Sequence, residues 1–290
     1  MYDKKQNPEK RFVLAGKALS VSTPVVMGIL NVTPDSFSDG GEFSGMDAAM
    51  QRIGEMVAEG AAIIDVGGES TRPGSDPVSE EEELKRVVPI LEKAVPRFPG
   101  TMFSVDTTKY EVAKQALECG VDMVNDVSGL QSEPRLADLC ARYQAILVIM
   151  HSKGIPKIMQ KRPEYRNVVQ DVARFLNDRA ALAARKGVEQ IVIDPGIGFG
   201  KNLQHNLELV AGLHSLKALG YPIMVGASRK TVIGKILADD AGDRPVHDRL
   251  AGTIALHYHA LVQGTDILRV HDVREASDSI EVFKALTSVF

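Results

Sequence analysis

The run VVMGILNV at residues 25–32 decides how this chain folds. It is apolar almost throughout, has the length of a strand, and turns polar only near its end, at Asn31. A strand covered on both faces reads this way, because neither face alternates with water. Seven further runs repeat the pattern: AAIIDVG (61–67), TMFSVDT (101–107), VDMVNDV (121–127), AILVIMH (145–151), IVIDPGI (191–197), YPIMVGAS (221–228) and ILRVHD (267–272). Longer amphipathic segments separate them, with Ser79 and Glu82 as a capping box and Gly60, Gly120, Gly187 and Gly220 as helix stops. Eight successive βα units predict a single (β/α)8 TIM barrel, with residues 1–290 as one domain. A doubly wound open sheet alternates in the same way and is the rival architecture. Ahead of the first unit, RFVLAGKALSVS (11–22) predicts a short N-terminal hairpin closing the barrel floor.

The chain of 290 residues is 44% apolar and 25% charged, an ordinary globular composition that excludes disordered and fibrous classes. A net charge of −4 supplies no basic field for nucleic acid, so any anion must be held by a local site. The first residues, MYDKKQNPEKRF, are charged, and no run reaches the roughly 18 apolar residues of a membrane span. The expectation is therefore a cytoplasmic protein without nucleic-acid or membrane partners. Cys119 and Cys140 each lie in an apolar helical stretch, away from ligand spacing, and read as reduced core residues. The stretch TIALHYHALVQG is apolar enough for a homodimer face, and core packing explains it equally well.

Polar residues collect at the ends of the apolar runs: Asn31, Asp65, Asp106, Asn125, His151, Asp194, Ser228, Arg269 and His271. In a (β/α)8 barrel all strands end on one face, where catalytic groups gather. Any one of these residues taken alone is better explained as a helix cap or a loop hydrogen bond. Taken together, they predict a polar mouth.

Longer motifs narrow the reading. GILNVTPDSFSDGG (28–41), DVGGESTRPGSDPVSEEEEL (65–84), SVDT (104–107), VNDVSG (124–129), VIMHSKGIPKIMQ (148–160), DPGIGFGK (194–201), GASRK (226–230) and RVHD (269–272) resemble, in order, the signature segments of the dihydropteroate synthases, a pterin-binding family. The resemblance covers essentially the whole chain. It implies a transferase that condenses 6-hydroxymethyl-7,8-dihydropterin diphosphate with p-aminobenzoate, with Mg2+ as cofactor and small molecules as partners. The implied reaction loses diphosphate to leave a delocalised dihydropterin cation, which the amine then attacks.

A pterin edge presents a 2-amino group, an N3 proton and a carbonyl, so its pocket needs a carboxylate acceptor and a donor. Asp194 suits the acceptor role; an Asp-Pro turn is its plainer reading, although the glycines of DPGIGFG leave open backbone on which a flat ring can lie. By resemblance, Asp106 and Asn125 flank the other ring edge, Lys230 donates to the ring carbonyl, and Met150 and Gly226 line the slot. Arg269 and His271 stand two apart and so point to one side of a strand, a candidate diphosphate clamp with Thr71 and Arg72. Without the flanking motifs, Arg269 reads as a surface ion pair and His271 as a satisfied strand-end histidine. Asn31 resembles the family's position for Mg2+, a hard cation that retains waters.

For p-aminobenzoate, SRKTVIGKI (228–236) reads as a loop entering a short helix, whose free N–H groups and Thr231 hydroxyl would accept a carboxylate. Phe37, Thr71, Pro73 and Phe199 would complete the apolar slot. The family commonly has serine and phenylalanine after the lysine, where this chain has Thr231 and Val232. Arg269, His271, Lys230 and Asp106 are the candidate catalytic residues. Two rival functions remain. A pterin-binding methyltransferase would have no use for the diphosphate clamp or GGESTRPG, and a non-catalytic pterin binder would have lost Lys230, Arg269 or STRPG.

Overall fold

The computed structural model describes residues 11–14, 17–20, 23–32, 41–69, 77–153 and 163–289. A hairpin of β1 (Arg11–Leu14) and β2 (Lys17–Ser20) precedes β3 (Val25–Asn31), α1 (Gly41–Ala58), β4 (Ala61–Gly67), α2 (Glu80–Arg97), β5 (Met102–Asp106) and α3 (Tyr110–Glu118). There follow β6 (Met123–Asp126), α4 (Leu136–Tyr143), β7 (Ile146–Met150), α5 (Val168–Arg185), β8 (Ile191–Asp194) and α6 (Leu203–Ala211). The chain closes with β9 (Met224–Val225), α7 (Thr231–Ile236), α8 (Leu250–Val262), β10 (Ile267–Val270) and α9 (Val273–Thr287).

The strands after the hairpin form one eight-stranded sheet, ordered β8, β7, β6, β5, β4, β3, β10, β9, with each neighbouring pair parallel. A parallel bridge between Ile193 and Ile223, and the 2.9 Å bond from Ile193 N to Pro222 O, join its two ends. That seam closes the barrel and excludes the doubly wound open sheet. Each of the eight predicted apolar runs contains one barrel strand. The predicted hairpin forms, with Arg11 opposite Ser20 and Leu14 opposite Lys17; its side chains, and so its role at the floor, lie outside the described residues. Half of the expected capping box of α2 is present: Ser79 Oγ accepts from Glu82 N at 3.2 Å, while Glu82 Oε1 accepts from Arg86 Nε at 3.0 Å. Cys140 is buried, and Cys119 at the end of α3 is half-buried; both are free thiols.

Strand parity sorts the residues into two layers. Inside the barrel, a floor of Met27, Ile63, Met102, Met123, Ile146, Val148, Val192, Met224 and Ile267 forms its own cluster. Alternate residues such as Val26, Ile64, Phe103, Val105, Leu147, Ile193, Val225 and Leu268 face the helices in a far larger one. At about 1.5–3 kcal/mol per fully buried large side chain, the outer layer supplies most of the apolar stabilisation. The interior is thereby free to hold polar groups. One pleat above Ile63, Met102, Met123, Val192 and Ile267, on the same strand faces, stand Asp65, Ser104, Asn125, Asp194 and Arg269.

At the rim between β7 and β8, backbone lies against backbone. Gly196 takes φ +69°, and a Cβ there would fall 1.9 Å from the His151 carbonyl oxygen. Asp194 Oδ1 accepts from Gly196 N at 2.6 Å, and His151 N donates to Asp194 O at 2.9 Å, so neither partner yields cheaply. Gly196→Ala should cost about 3 kcal/mol or more, from left-handed strain plus a clash that no rotamer relieves. Urea unfolding checks this; an unchanged midpoint would mean that the loop has room to shift.

Candidate active site

Arg269 is the hub of the barrel mouth. Its Nε donates to Asp65 Oδ2 at 2.6 Å and its Nη2 to Asp106 Oδ2 at 2.7 Å. Asn125 Nδ2 donates to the same Asp65 oxygen at 2.9 Å, which orients the amide and turns its Oδ1 elsewhere. One guanidinium and one amide thus tie β4, β5, β6 and β10 together, with Asp65, Asp106 and Asn125 buried and the Arg269 side chain 16% exposed. A surface ion pair is therefore not what Arg269 makes. Burial pushes the Asp106 carboxyl up to about 7 against the pull of Arg269, and the charges of Asp65 and Glu83 add to the rise. Burial works to lower the pKa of Arg269, but Asp65 and Asp106 outweigh it and hold it above the usual range.

Three acceptor oxygens at this hub, Oδ1 of Asp65, Asp106 and Asn125, are buried without a hydrogen-bond partner. An unmatched buried polar atom costs about 1–3 kcal/mol. Several together make a mouth that would be stabilised by a ligand carrying N–H groups.

On the other side of the mouth, β8 ends at buried Asp194, whose carboxyl is pushed up by burial and pulled back by Lys230 and the Gly196 N–H. Lys230 Nζ donates to Ile197 O at 2.7 Å and lies 4.5 Å from the centre of the Phe199 ring. Burial pulls Lys230 down to about 8, with Asp194 opposing. Below, the buried Lys201 ammonium reaches His151 Nδ1 at 2.9 Å, Gly196 O at 2.8 Å and Phe199 O at 3.0 Å. Those contacts, with a longer one to His151 O at 3.5 Å, pin the glycine-rich loop, and burial pulls the Lys201 pKa well below its ordinary value. Nδ1 of His151 accepts only in the neutral ring, and burial, followed by the charge of Lys201, pulls that pKa down to about 2.

His271 follows β10 and is held by Ser228 and Arg52. Its N donates to Ser228 Oγ at 3.2 Å, its Nδ1 lies 3.0 Å from the same oxygen, and Arg52 Nη2 donates to its carbonyl at 3.0 Å. Ser228 Oγ can accept from the backbone and still donate its own proton to Nδ1; in that tautomer Nε2 carries the ring N–H. Asn31 is exposed at the end of β3, the neighbouring strand. Met150 is buried beside Asp194 in the β7–β8 ladder, and Gly226 lies against Arg269, whose Cβ would be 3.6 Å from an added Cβ. Phe199 is half-buried, and Thr231 is exposed on an α7 of only 6 residues. Phe37, Thr71, Arg72 and Pro73 lie outside the described residues.

The structure thus brings Asp106, Asn125 and Arg269 into one hub, and Asp194, Lys230 and Phe199 onto the facing lip. Sequence reading left Asp65, Ser228 and Lys201 without partners. It also missed a salt-bridge cluster beside the hub, where Lys109 binds Glu69 and the fully buried Glu83. A signal for Glu83 did exist: it falls in phase with the buried stripe Val87, Ile90, Leu91 and Ala94, not with the solvated face that a run of glutamates suggests.

Known proteins resemble this chain in sequence and architecture. The model of a family described as pterin binding enzyme matches residues 27–271. The dihydropteroate synthase of Haemophilus influenzae is 45% identical over 271 residues, 93% of this chain and 96% of that protein. The Yersinia pestis dihydropteroate synthase, solved as a sulfonamide drug complex, superposes with a TM-score of 0.89 at 41% identity, over 96% of this chain and 100% of that one. The Xanthomonas albilineans enzyme in complex with 7,8-dihydropteroate gives 0.84 at 38% identity, over 96% and 99%. This chain belongs to the pterin binding enzyme family and, within it, to the dihydropteroate synthases.

Proposed function

We propose that the protein condenses 6-hydroxymethyl-7,8-dihydropterin diphosphate with p-aminobenzoate, giving 7,8-dihydropteroate and diphosphate. The observation that carries this reading is the hub itself: unpaired acceptor oxygens on Asp65, Asp106 and Asn125, with Lys230 close enough for its charge to interact with those of Asp194 and Asp106. A pterin is their complement, a flat ring with several N–H groups and one carbonyl. Asp194, Asp106 and Asn125 accept from the ring, Lys230 donates to its carbonyl, and Met150 and Gly226 bound the slot.

In the reaction, the bond between the pterin methylene carbon and the diphosphate oxygen breaks, and its electron pair leaves with diphosphate. The cation is delocalised over the dihydropterin, near Asp106 and Asp194. The amine nitrogen of p-aminobenzoate then forms the C–N bond with its lone pair and releases a proton. Charge stabilisation at both ends is the main contribution open to the protein. His271 donates to the diphosphate from its ring, with Thr71, Arg72 and Arg269 as further donors. Arg269 is tied to carboxylates here, so its part is an exchange: as ring N–H groups occupy Asp106, its guanidinium turns to the anion.

Asn31 supplies one hard amide oxygen at an exposed strand end, which fits an Mg2+ that takes its other ligands from water and diphosphate. That ion would neutralise the leaving group. Phe37, Thr71, Pro73, Phe199 and the Thr231 hydroxyl receive p-aminobenzoate. The reading places the protein in the cytoplasm, in keeping with two free thiols, and takes it as a homodimer, with Val262, Val282 and Leu286 exposed on the last two helices. Among the described residues, no helix is long and apolar enough to cross a membrane.

Three experiments test these roles. Asp194→Asn puts a donor where an acceptor is needed, and should weaken pterin binding by roughly tenfold to a hundredfold, the equivalent of about 1–3 kcal/mol. Unchanged affinity in calorimetry would remove Asp194 from the pocket. For Lys230, whose ammonium deprotonates at about 8, kcat/KM for the pterin substrate should fall as pH rises through that value. Lys230→Arg should move the falling limb to higher pH, and a limb left in place belongs to another group. Arg269→Ala strands Asp65 and Asp106 as buried unpaired charges, and should lower stability by about 3–5 kcal/mol. Turnover per folded molecule should also fall roughly a hundredfold or more. Arg269→Lys, which keeps the charge but loses the fork, should recover stability more than rate. Melting temperature and diphosphate release from one preparation separate the two effects, and normal turnover per folded molecule would take Arg269 out of the chemistry.

A further inference from the structure

The strand that leads to Ser228 and Lys230 is the shortest of the barrel. β9 has 2 residues, where the others have between 4 and 7. Its ladder bonds stop at Val225, short of the residues that face the site. The loop beyond is held from outside the barrel by α8. His257 Nε2 accepts from Ala227 N at 3.2 Å, Thr253 Oγ1 accepts from Arg229 N at 3.1 Å, and Arg249 Nη1 donates to Arg229 O at 3.0 Å. The Thr253 proton is committed to Arg249 O at 2.8 Å, which leaves its oxygen free to accept.

The N-cap Arg249 and the α8 residues Thr253 and His257 recur every four positions, so they form a stripe along one side of the helix and its start. All three are buried, with Arg249 the most exposed at 7%. Apolar side chains would serve packing better, because a buried polar group without its partner costs free energy. The loop needs outside support: Arg229 takes φ +58°, a conformation uncommon for a residue with a side chain. Its neighbours then carry the function, Ser228 beside His271 Nδ1 and Lys230 above Phe199.

We propose that this stripe positions the Ser228–Lys230 loop, and that His257 is its decisive member: by holding the Ala227 amide, it sets where Lys230 stands and so how tightly the pterin binds. The inference rests on the reading of Lys230 as a pterin donor. For Nε2 to accept, the ring must be neutral with its proton on Nδ1. Burial and the charge of Lys230 pull its pKa down to about 4, with Asp272 opposing.

The test is calorimetry of the full chain with 6-hydroxymethylpterin, run beside thermal melting. His257→Leu leaves the Ala227 N–H without an acceptor, and should weaken pterin binding by about tenfold. His257→Gln, which offers an amide oxygen, should restore most of it. In a Lys230→Ala background, His257→Leu should cost no further affinity, because its effect runs through Lys230. Thr253→Val, which removes the acceptor of the Arg229 amide, should follow the same pattern. Melting temperatures that fall while pterin affinity holds, losses that add in the double substitution, or failure of both His257→Leu and Thr253→Val to fold would each assign the stripe to stability alone and overturn the proposal. A parent protein that binds no pterin would refute the pocket reading itself, and the proposal with it.

Discussion

A guanidinium held between two carboxylates inside a barrel is the interaction on which the mouth depends. Asp65 and Asp106 project inward from β4 and β5, where each would carry a heavy desolvation cost alone. Arg269 makes their burial tolerable, and reaches them from β10, across the intervening β3. The pairings join residues 204 and 163 positions apart in the chain. The polar layer is therefore complete only when the last strand of the sheet has taken its place. Long-range closure of this kind belongs to the slower part of folding, and it couples the site to the integrity of the whole barrel.

The same rule recurs around the hub at smaller scale. Lys201 meets an imidazole nitrogen and two carbonyls, and Lys109 meets two glutamates. Glu83 lies so close under Gly68 that a Cβ there would come within 2.9 Å of its side chain, while Arg86 Nη1 donates to Gly68 O at 2.8 Å. The buried Lys201 amine anchors backbone beyond the ends of β7 and β8, and the partly buried Lys109 ammonium anchors Glu69, just beyond β4, to Glu83 of α2. The rim acquires its shape from ionic contacts, while the layer beneath takes its shape from apolar packing.

Much of this could be read from the sequence, and the limits have physical causes. Eight apolar runs ending in polar residues are a local pattern, so the strands, their order along the chain and the polar mouth were all visible. Parity along ILRVHD suggested that Arg269 and His271 share one side. It could not say what they meet there, because Asp65 and Asp106 arrive from strands far away in the chain. Arg269 was read as an anion clamp or a surface pair, and the structure makes it first a partner of carboxylates. Lys201 was visible as part of a loop motif, yet a lysine at a loop end ordinarily points to water. Only the packing of Gly196 against His151 shows why this one points inward. Thr253 and His257, which grip the loop, lie in a stretch whose apolar character suited a dimer face or core packing equally well.

The floor of the barrel carries a different consequence. Four of its members, Met27, Met102, Met123 and Met224, are unbranched thioethers, buried to within 3% of complete. Methionine adopts many shapes at little cost and fills irregular gaps, and exchange with leucine or isoleucine of similar volume usually costs less than about 1.5 kcal/mol. The plug beneath the site can therefore drift in sequence by small compensating changes of shape. One pleat higher, Asp65, Asn125, Asp194 and Arg269 are bound by direction and charge, so a neutral exchange at those positions has no equivalent. Evolutionary latitude in this molecule is thus graded along the barrel axis: wide at the floor, and almost absent where the strands open.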